Sequence, residues 1–363
     1  MITIVKPQIG DEEKKAVLNV LSSGHLAQGE KVREFEKIFS DYIGVKQSVT
    51  VNSGTAALHL SLLSLGIKTG DEVITTPFSF ISSSNCILFC NAKPVFVDID
   101  SKTFNLNPEK INEKITKKTK AIIAVHLYGQ PAEMDVIKEI AEQHNLFLIE
   151  DACQAHGAEY KGKKVGSIGD LGCFSFYPTK NMTTGEGGMV TTNDLEIAEK
   201  IKILKNHGQI RKYYHLHLGF NLRMTDIAAA IGIEQLKKLD EFNKKRIKNA
   251  QFLTESLSDL DEIVTPFVSC AVKHVFHQYT IRYHSRFFSR STFIKKLEKN
   301  GIQTAIYYPS PIYKQPLYQQ LGYNDHLQEV EKASKEVISL PVNPTLDSKN
   351  LNFITNQIKS ILR

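Results

Sequence analysis

Residues 172–189 read Gly172-Cys173-Phe174-Ser175-Phe176-Tyr177-Pro178-Thr179-Lys180-Asn181-Met182-Thr183-Thr184-Gly185-Glu186-Gly187-Gly188-Met189. An apolar segment, typical of a buried strand, leads through a proline turn to Lys180 and then into a glycine-rich bend. This order predicts one amine held on a rigid element in a tight, desolvated site. Because desolvation disfavours the ammonium form, it lowers a lysine's pKa and lets the amine attack a carbonyl. Lys180 is therefore a candidate for forming a Schiff base, although most lysines are solvated surface charges.

The bulk composition is that of a soluble globular protein. Hydrophobic residues make up 42% and charged residues 23% of the 363 residues, which suits roughly two or three domain-sized units. No apolar run approaches the roughly 20 residues that span a bilayer, and the first residues lack a signal-peptide pattern. The formal net charge of +6 suits an anionic substrate, but no basic arm argues for nucleic acid. We expect a cytoplasmic protein that binds neither membranes nor nucleic acids.

The cysteines form no CxxC motif and no disulfide-like framework. They are Cys86, Cys90, Cys153, Cys173 and Cys270. Four of these five lie within apolar runs, which is typical of buried thiols in a reducing compartment. We predict reduced thiols and no metal site.

Strand-like and helix-like segments alternate through the first half of the chain. The predicted strands cover residues 48–51, 71–75, 94–97, 121–126 and 146–149, and the predicted helices cover 56–65, 82–89, 135–144 and 225–239. Such alternation predicts an α/β fold with a mostly parallel central sheet flanked by helices. Sites in these sheets lie at the carboxyl ends of the strands.

The pattern changes after about Lys245. We predict a strand over residues 277–283, a helix over 291–300, a strand over 301–308 and a final helix over 329–340. These elements indicate a smaller C-terminal α+β domain. We expect a large domain over residues 1–245 and a small domain over residues 246–363.

Four features converge if sites lie at strand ends. Gly54 and Thr55 stand in a strand-to-helix turn, whose amides and hydroxyls suit a phosphate, although for this motif alone an ordinary helix cap is the favoured explanation. Asp151 closes an apolar strand, where a carboxylate is costly unless it is paired or functional; a cap or a structural salt bridge is the alternative. Ser175 is a further phosphate candidate or a core serine, and Phe80 is a stacking ring or plain core.

Together these features are what pyridoxal 5'-phosphate (PLP) requires. Its aldehyde bonds to a lysine, an acid keeps its ring nitrogen protonated, and the protonated ring becomes an electron sink. The joint occurrence of Lys180, Asp151, a phosphate cradle and a stacking ring favours this cofactor more strongly than any one motif.

Further motifs carry a family resemblance over nearly the whole chain. They are GHLAQG at 24–29, NSGTAAL at 52–58, GDEV at 70–73, PVFVDID at 94–100, EDACQAHG at 150–157, NHG at 206–208, GFNLRM at 219–224 and YYP at 307–309. With the Lys180 segment, they resemble the DegT/DnrJ/StrS sugar aminotransferases, PLP enzymes of the aspartate aminotransferase fold (fold type I). The resemblance implies that residues 1–245 bind PLP and include an N-terminal segment facing the substrate.

The resemblance also implies residue roles. Lys180 binds the cofactor aldehyde and then moves a proton between the substrate carbon and the cofactor carbon. Asp151 pairs with the pyridine nitrogen, and Gln154 makes a hydrogen bond on the side of the ring that carries the hydroxyl. Gly54, Thr55 and Ser175 hold the phosphate, and Phe80 stacks on the ring. Asn221 matches an asparagine that reaches the phosphate of the other subunit's cofactor, which implies a homodimer with shared sites.

Substrate contacts are less sharply implied. The candidates are His25, His156, His207, His277, Tyr308 and Tyr313, each of which is alternatively a packed or surface residue. The chain has Gly24-His25 where many family members have Gly-Trp, and Tyr313 stands where a histidine is common. These departures affect the contacts to the sugar nucleotide and leave the cofactor chemistry intact.

The resemblance implies transamination in two halves. L-glutamate gives its amine to the cofactor, producing the pyridoxamine form, and a keto sugar on a nucleoside diphosphate then accepts it. Two alternatives are a sugar dehydratase that uses the pyridoxamine form of the cofactor and a non-catalytic PLP-binding regulator. The dehydratases have histidine in place of the cofactor lysine, and position 180 is lysine.

Overall fold

A computed structural model describes residues 1–362. Its helices are α1 Asp11–Ser23, α2 Glu30–Ile43, α3 Gly54–Ser64, α4 Ser82–Phe89, α5 Met134–Gln143, α6 Leu195–Leu204, α7 Asp226–Leu257, α8 Arg290–Lys299, α9 Pro316–Gln320, α10 Gln328–Glu336 and α11 Ser348–Leu362. Its strands are β1 Gln47–Val51, β2 Glu72–Thr75, β3 Lys93–Phe96, β4 Thr119–Val125, β5 Phe147–Asp151, β6 Glu159–Tyr160, β7 Lys163–Lys164, β8 Leu171–Ser175, β9 Gly188–Thr192, β10 Gln209–Arg211, β11 Tyr214–His215, β12 Ile263–Val264, β13 Val272–Lys273, β14 Tyr279–Tyr283 and β15 Val337–Leu340.

A central sheet of seven strands organises the larger part of the molecule. Its order is β1-β9-β8-β5-β4-β2-β3, and β9 runs antiparallel to both of its neighbours while the remaining pairs are parallel. Alternate residues of β4 enter different cores: Ile122 and Ala124 pack on one face, and Ile123 and Val125 pack on the other. A sheet covered on both faces requires strands that are apolar on both sides, as residues 121–125 of β4 are. The predicted mostly parallel α/β sheet is confirmed.

A smaller antiparallel sheet, in the order β12-β14-β15, forms the C-terminal part. It shares a core with the second half of α7, with α8 and with α11. Helix α7 is 32 residues long and also packs against α1 and α2 beside the central sheet. The expected domain boundary at residues 245 and 246 therefore falls inside a continuous helix. None of the helices in the described part of the chain is both long and apolar enough to cross a membrane.

The C-terminal elements differ from prediction in several places. Residues 301–308 form no strand and make only isolated bridges, such as Ala305 to Ser339. The predicted helix over 329–340 ends at Glu336, and Val337–Leu340 is the buried strand β15. A short apolar run fits a buried strand and a helix equally well, so pairing with β14 decides between them. Helix α11 was not predicted, and α7 extends well beyond residue 239.

A buried ion pair fixes the start of the central sheet to its surroundings. Lys205 Nζ lies 3.2 Å from Glu36 Oε1 and donates to the Thr50 carbonyl at 2.8 Å. The Lys205 side chain is 2% exposed, and burial lowers the pKa of its amine. Glu36 Oε1 also accepts from the Thr50 backbone N–H at 2.8 Å. Removing one partner of such a pair leaves an uncompensated buried charge.

We predict that Glu36→Gln destabilises the fold by about 3 kcal/mol because the Lys205 ammonium loses its charge partner while remaining buried. Denaturant unfolding of the variant and the wild-type protein, analysed with the same m-value, measures the loss of unfolding free energy. Asp41→Asn is the matched control, since the Lys37–Asp41 pair is exposed and we expect a change within about 0.5 kcal/mol. Equal midpoints for the two variants would contradict the prediction.

Candidate active site

A cavity of about 520 Å³ opens between the carboxyl ends of the central strands and the start of the smaller sheet. It brings together seven of the predicted cofactor residues: Gly54, Thr55, Phe80, Asp151, Gln154, Ser175 and Lys180. Of the predicted substrate residues, it contains His277 and Tyr308. The volume is within the range of pockets for small molecules and cofactors.

Lys180 follows the turn after β8 and presents its side chain to this cavity. Its backbone N–H donates to the Tyr177 carbonyl at 2.9 Å, which fixes the turn. Burial lowers the pKa of the amine, and the neighbouring Cys153 and Asp151 only partly oppose this effect. Within residues 1–362, no hydrogen-bond or ion-pair partner is found for Nζ. The amine is therefore available as a nucleophile and a base.

Asp151 ends β5 with both carboxylate oxygens engaged. Oδ2 accepts from the Ser83 hydroxyl at 2.6 Å, and Oδ1 accepts from the Cys153 backbone N–H at 3.2 Å. The Ser79 and Ser83 hydroxyls lie 2.8 Å apart, so a short chain of hydroxyls holds the carboxylate. Ser83 was not among the predicted site residues, and its only signal in the sequence is the run of serines that begins α4.

The N-terminus of α3 forms a compact anion site. Ser53 caps the helix, because its side chain accepts from Ala56 N–H and its carbonyl accepts from Ala57 N–H. The amides of Gly54 and Thr55 are left without an intrahelical partner. The Thr55 hydroxyl lies 2.8 Å from that of Ser82. Free amides, hydroxyls and the helix dipole together suit a phosphate.

The opposite side of the cavity is built from Gln154 and two tyrosines. Gln154 Oε1 accepts from the Tyr128 backbone N–H at 3.0 Å, and its Nε2 donates to the Tyr308 hydroxyl at 3.2 Å. Burial raises the pKa of Tyr308, which keeps the phenol protonated at neutral pH. Phe80 is 58% exposed and lies on the cavity wall, where its ring is accessible to a ligand.

The remaining predicted residues lie outside the cavity of this chain. His25, His207 and Asn221 are exposed. His156 is buried between the rings of Phe174 and Phe176, and burial lowers its pKa to about 3. Tyr313 is packed in the core, and its hydroxyl donates to Glu331 Oε1 at 3.0 Å. For His156 and Tyr313, the structure replaces the expected substrate contact with a packing role.

All five cysteines are free thiols in the structure. Cys86, Cys90 and Cys173 are buried, Cys153 is half-buried on the cavity wall, and Cys270 is exposed. In the part of the chain that the structure describes, no group of three or more His, Cys, Asp and Glu side chains is placed to hold a metal ion.

The donor set fits PLP. The α3 N-terminus with Thr55 and Ser175 would hold the phosphate, Asp151 would face the ring nitrogen, and Lys180 would meet the aldehyde. A Cβ at Gly54 would lie 2.6 Å from the Ser175 Cβ, so glycine is what lets the helix end approach β8. The fold and the site thus define a PLP-dependent aminotransferase, and the predicted enzyme class and cofactor are confirmed.

Comparison with known proteins gives the family. Residues 7–359 match the DegT/DnrJ/EryC1/StrS aminotransferase family, and the chain belongs to it. The solved structure of Helicobacter pylori PseC, an aminotransferase of pseudoaminic acid biosynthesis, superposes with a TM-score of 0.94 at 33% identity and covers 99% of each chain.

Three curated relatives illustrate the range of functions in the family. The chain is 40% identical to GDP-perosamine synthase of Caulobacter vibrioides, over 99% of this chain and 98% of the relative. It is 38% identical to UDP-N-acetyl-3-dehydro-α-D-glucosamine 3-aminotransferase of Acidithiobacillus ferrooxidans, over 97% and 94%. It is 42% identical to a pleiotropic regulatory protein of Geobacillus stearothermophilus, over 98% and 96%.

We predict that Lys180→Met stabilises the cofactor-free protein at neutral pH. The folded state lowers the pKa of Lys180 while the unfolded chain keeps its ordinary value, so the unfolded chain binds the proton more tightly. The resulting destabilisation is full below the lowered pKa and fades as pH rises towards about 10.5. Melting temperatures of both proteins from pH 6 to pH 10 should therefore converge. A constant difference across this range would contradict the prediction.

Proposed function

We propose that this protein moves an amino group from L-glutamate to a keto group of a nucleoside-diphosphate sugar. The product would be a nucleotide-linked amino sugar for polysaccharide, glycan or antibiotic biosynthesis. The observation that carries the proposal is the unpaired Lys180 amine in one cavity with Asp151 and the α3 N-terminus. The printed names of relatives that act on GDP- and UDP-linked sugars support the sugar acceptor.

Residues of this chain supply proton transfer and orientation. Bound PLP supplies an electron sink for the charge that develops when the substrate carbon loses its proton. Lys180 Nζ takes that proton as a general base and, once protonated, returns one as a general acid. Asp151, fixed by Ser83 and by the Cys153 amide, places a negative charge at the end of β5. Burial lowers the pKa of both Lys180 and His277, which disfavours the charged forms of these two groups in the cavity.

The two halves of the reaction use the same lysine. In the first, L-glutamate leaves as 2-oxoglutarate after Lys180 moves its α-proton. In the second, the keto sugar enters and Lys180 delivers a proton to the former carbonyl carbon. We assign residues 1–245 to a cofactor-binding domain and residues 246–363 to a smaller domain that supplies His277 and Tyr308 to the shared cavity.

We further propose a homodimer in which Asn221 serves the partner's cavity. Asn221 is exposed on a rigid base, because Phe220 N–H donates to the Leu204 carbonyl and Leu222 N–H donates to the Lys205 carbonyl. In the neighbouring β10–β11 hairpin Tyr213 is 82% exposed, and in the chain just after the hairpin Leu218 is 88% exposed. Exposed apolar side chains on one projecting segment favour burial of that segment against a second copy of the chain. Free thiols support a cytoplasmic location.

We predict that L-glutamate converts the purified PLP-loaded protein to its pyridoxamine form. The absorption band of the lysine-bound cofactor should give way to the pyridoxamine band, because Lys180 can move the donor's proton. Lys180→Ala should lose the first band and slow the conversion by at least about a thousandfold. The binding residues Thr55 and Asp151 remain in that variant, so retained cofactor checks its fold.

The outcome separates the proposal from its alternatives. If the band of the lysine-bound cofactor persists with L-glutamate and with other amino acids, the result would favour a PLP-binding regulator. The similarity to a pleiotropic regulatory protein is the reason for testing this alternative. Conversion by L-glutamate without amine transfer to any keto-sugar nucleotide would leave the first half-reaction intact and remove the proposed acceptor.

We predict that two inactive variants restore activity together. Lys180→Ala and Asn221→Ala homodimers are mixed under conditions that exchange subunits. If Asn221 serves the partner's site, each hybrid carries one intact site and one doubly altered site, so about a quarter of all sites regain function. If Asn221 acts within its own subunit, every hybrid site carries one lesion and the mixture stays at the variants' average. Sedimentation of each variant confirms the dimer.

A further inference from the structure

A chain of hydrogen bonds beside Lys180 fixes the protonation of the His277 ring. Asn181, the residue after Lys180, donates from Nδ2 to the Val275 carbonyl at 3.2 Å, and the same Nδ2 donates to Asn243 Oδ1 at 2.8 Å. Because a backbone carbonyl only accepts, the Asn181 amide has one orientation and its Oδ1 is an acceptor. His277 Nδ1 lies 3.3 Å from that oxygen. Nδ1 therefore carries the proton, and Nε2 presents a lone pair.

The surroundings of His277 keep its ring neutral. Burial lowers the pKa of the imidazole well below its ordinary value, and Lys180, Arg246 and His156 lower it further. The Arg246 guanidinium also donates to the His277 backbone carbonyl at 3.4 Å, which holds the residue in place. A neutral imidazole with its proton on Nδ1 accepts through Nε2 throughout the neutral pH range.

His277 Nε2 is accessible and has no partner. Within residues 1–362 the side chain makes one hydrogen bond, through Nδ1, and Nε2 is not among the enclosed atoms that lack a partner. An atom that is neither paired nor enclosed has accessible surface. Because His277 is 6% exposed and lines the active-site cavity, this surface opens onto the cavity. The lone pair is thus an acceptor placed in advance for a donor inside the cavity.

The Lys180 amine is the donor that this chain itself brings to the cavity. It carries up to three N–H groups, and no partner is found for Nζ within residues 1–362. It lies on the same cavity as His277 and close enough to lower the pKa of that ring. Its four-carbon stem is flexible, whereas the imidazole is tied to the next residue of the chain, Asn181. The phosphate and aldehyde oxygens of PLP are acceptors themselves and do not suit Nε2.

We propose that His277 is a positioning residue for Lys180, whose amine donates a hydrogen bond to Nε2 when it is not bonded to the cofactor. This inference rests on the proposed function, in which Lys180 binds PLP and moves the proton, and it names the group that holds the lysine between those two tasks. The acceptor stabilises the ammonium over the neutral amine, in the same direction as Cys153 and Asp151 and against the effect of burial. The proton that Lys180 takes is thereby kept in a fixed place until it is returned.

The test follows the capture of PLP by the cofactor-free protein from pH 6 to pH 10. Only the neutral amine attacks the aldehyde, so the rate at which the band of the lysine-bound cofactor appears rises through the pKa of Lys180. His277→Asn keeps an amide N–H near the position of Nδ1 and removes the acceptor, whereas His277→Gln places an amide oxygen near the position of Nε2. His274→Asn is the matched control, because His274 is also buried, with its pKa lowered to about 3, and does not line the cavity.

We expect the midpoint of the capture rate to fall by about one pH unit in His277→Asn, since one hydrogen bond to the ammonium is lost. Below the midpoint, this variant should therefore capture PLP about tenfold faster than the wild-type protein. His277→Gln should return the midpoint towards the wild-type value, and His274→Asn should not move it. Melting temperatures check the folding of each variant. Should His277→Asn fail to fold, His277→Phe, which keeps the bulk of a ring and lacks the acceptor, makes the same prediction.

The direction of the shift separates this role from a structural one. Damage to the cavity admits water, which relieves the desolvation of the ammonium and raises the midpoint. A raised or unchanged midpoint in His277→Asn would therefore overturn the inference, and an unchanged midpoint with a higher KM for one substrate would assign the acceptor to that substrate. Wild-type protein that captures no PLP, or capture that survives in Lys180→Ala, would overturn the proposed role of Lys180 and the inference with it. Capture that is lost in Lys180→Ala while the His277 variants titrate like wild type overturns the inference alone.

Discussion

The close approach of the α3 N-terminus to strands β8 and β9 is the constraint on which the active site depends. A Cβ at Gly188 would lie 2.3 Å from the Ser53 carbonyl oxygen, and one at Gly54 would lie 2.6 Å from the Ser175 Cβ. Backbone atoms cannot yield as a flexible side chain can, so any larger residue would push the helix end away from the sheet. This close approach of the helix to the strands brings the free amides of α3 and the Ser175 hydroxyl to the same part of the cavity.

Strand pairing then transmits this placement across the sheet. Ser175 pairs with Gly188 and Cys173 pairs with Asp151, so the end of β8 lies beside the start of β9, and β5 ends two residues earlier. The hydroxyl of Ser83, on α4, reaches the Asp151 carboxylate from outside the sheet. The anion site, the acid and the Lys180 turn thus stand at fixed separations. Pre-organisation of this kind lets catalytic groups act without first reorganising.

Sequence reasoning recovers the parts of this arrangement that are local. Asp151 and Ser175 end their strands, and Gly54, Thr55 and Lys180 follow a strand by a short turn. The pattern of an apolar run followed by a turn marks all five. Alternation of strands and helices likewise predicts the mostly parallel sheet. By contrast, β15 is a short apolar run whose state depends on its partner β14, and residues 301–308 are extended chain without a ladder. Non-local pairing decides both, and no local pattern encodes it.

The two sides of the cavity also differ in how far local sequence determines them. Cofactor groups come from turns of the central sheet, whereas His277, Gln278 and Tyr308 arrive from the C-terminal part through tertiary contacts. Tyr128 joins these sides, since its amide binds Gln154, its carbonyl binds the Gln278 amide and its hydroxyl donates to the Tyr307 carbonyl. The residues of the second side are distant in sequence from those of the first, and tertiary packing alone brings His277 and Tyr308 to the cavity. No local pattern of strand and turn marks these residues, so their place beside the cofactor residues is visible only in the folded molecule.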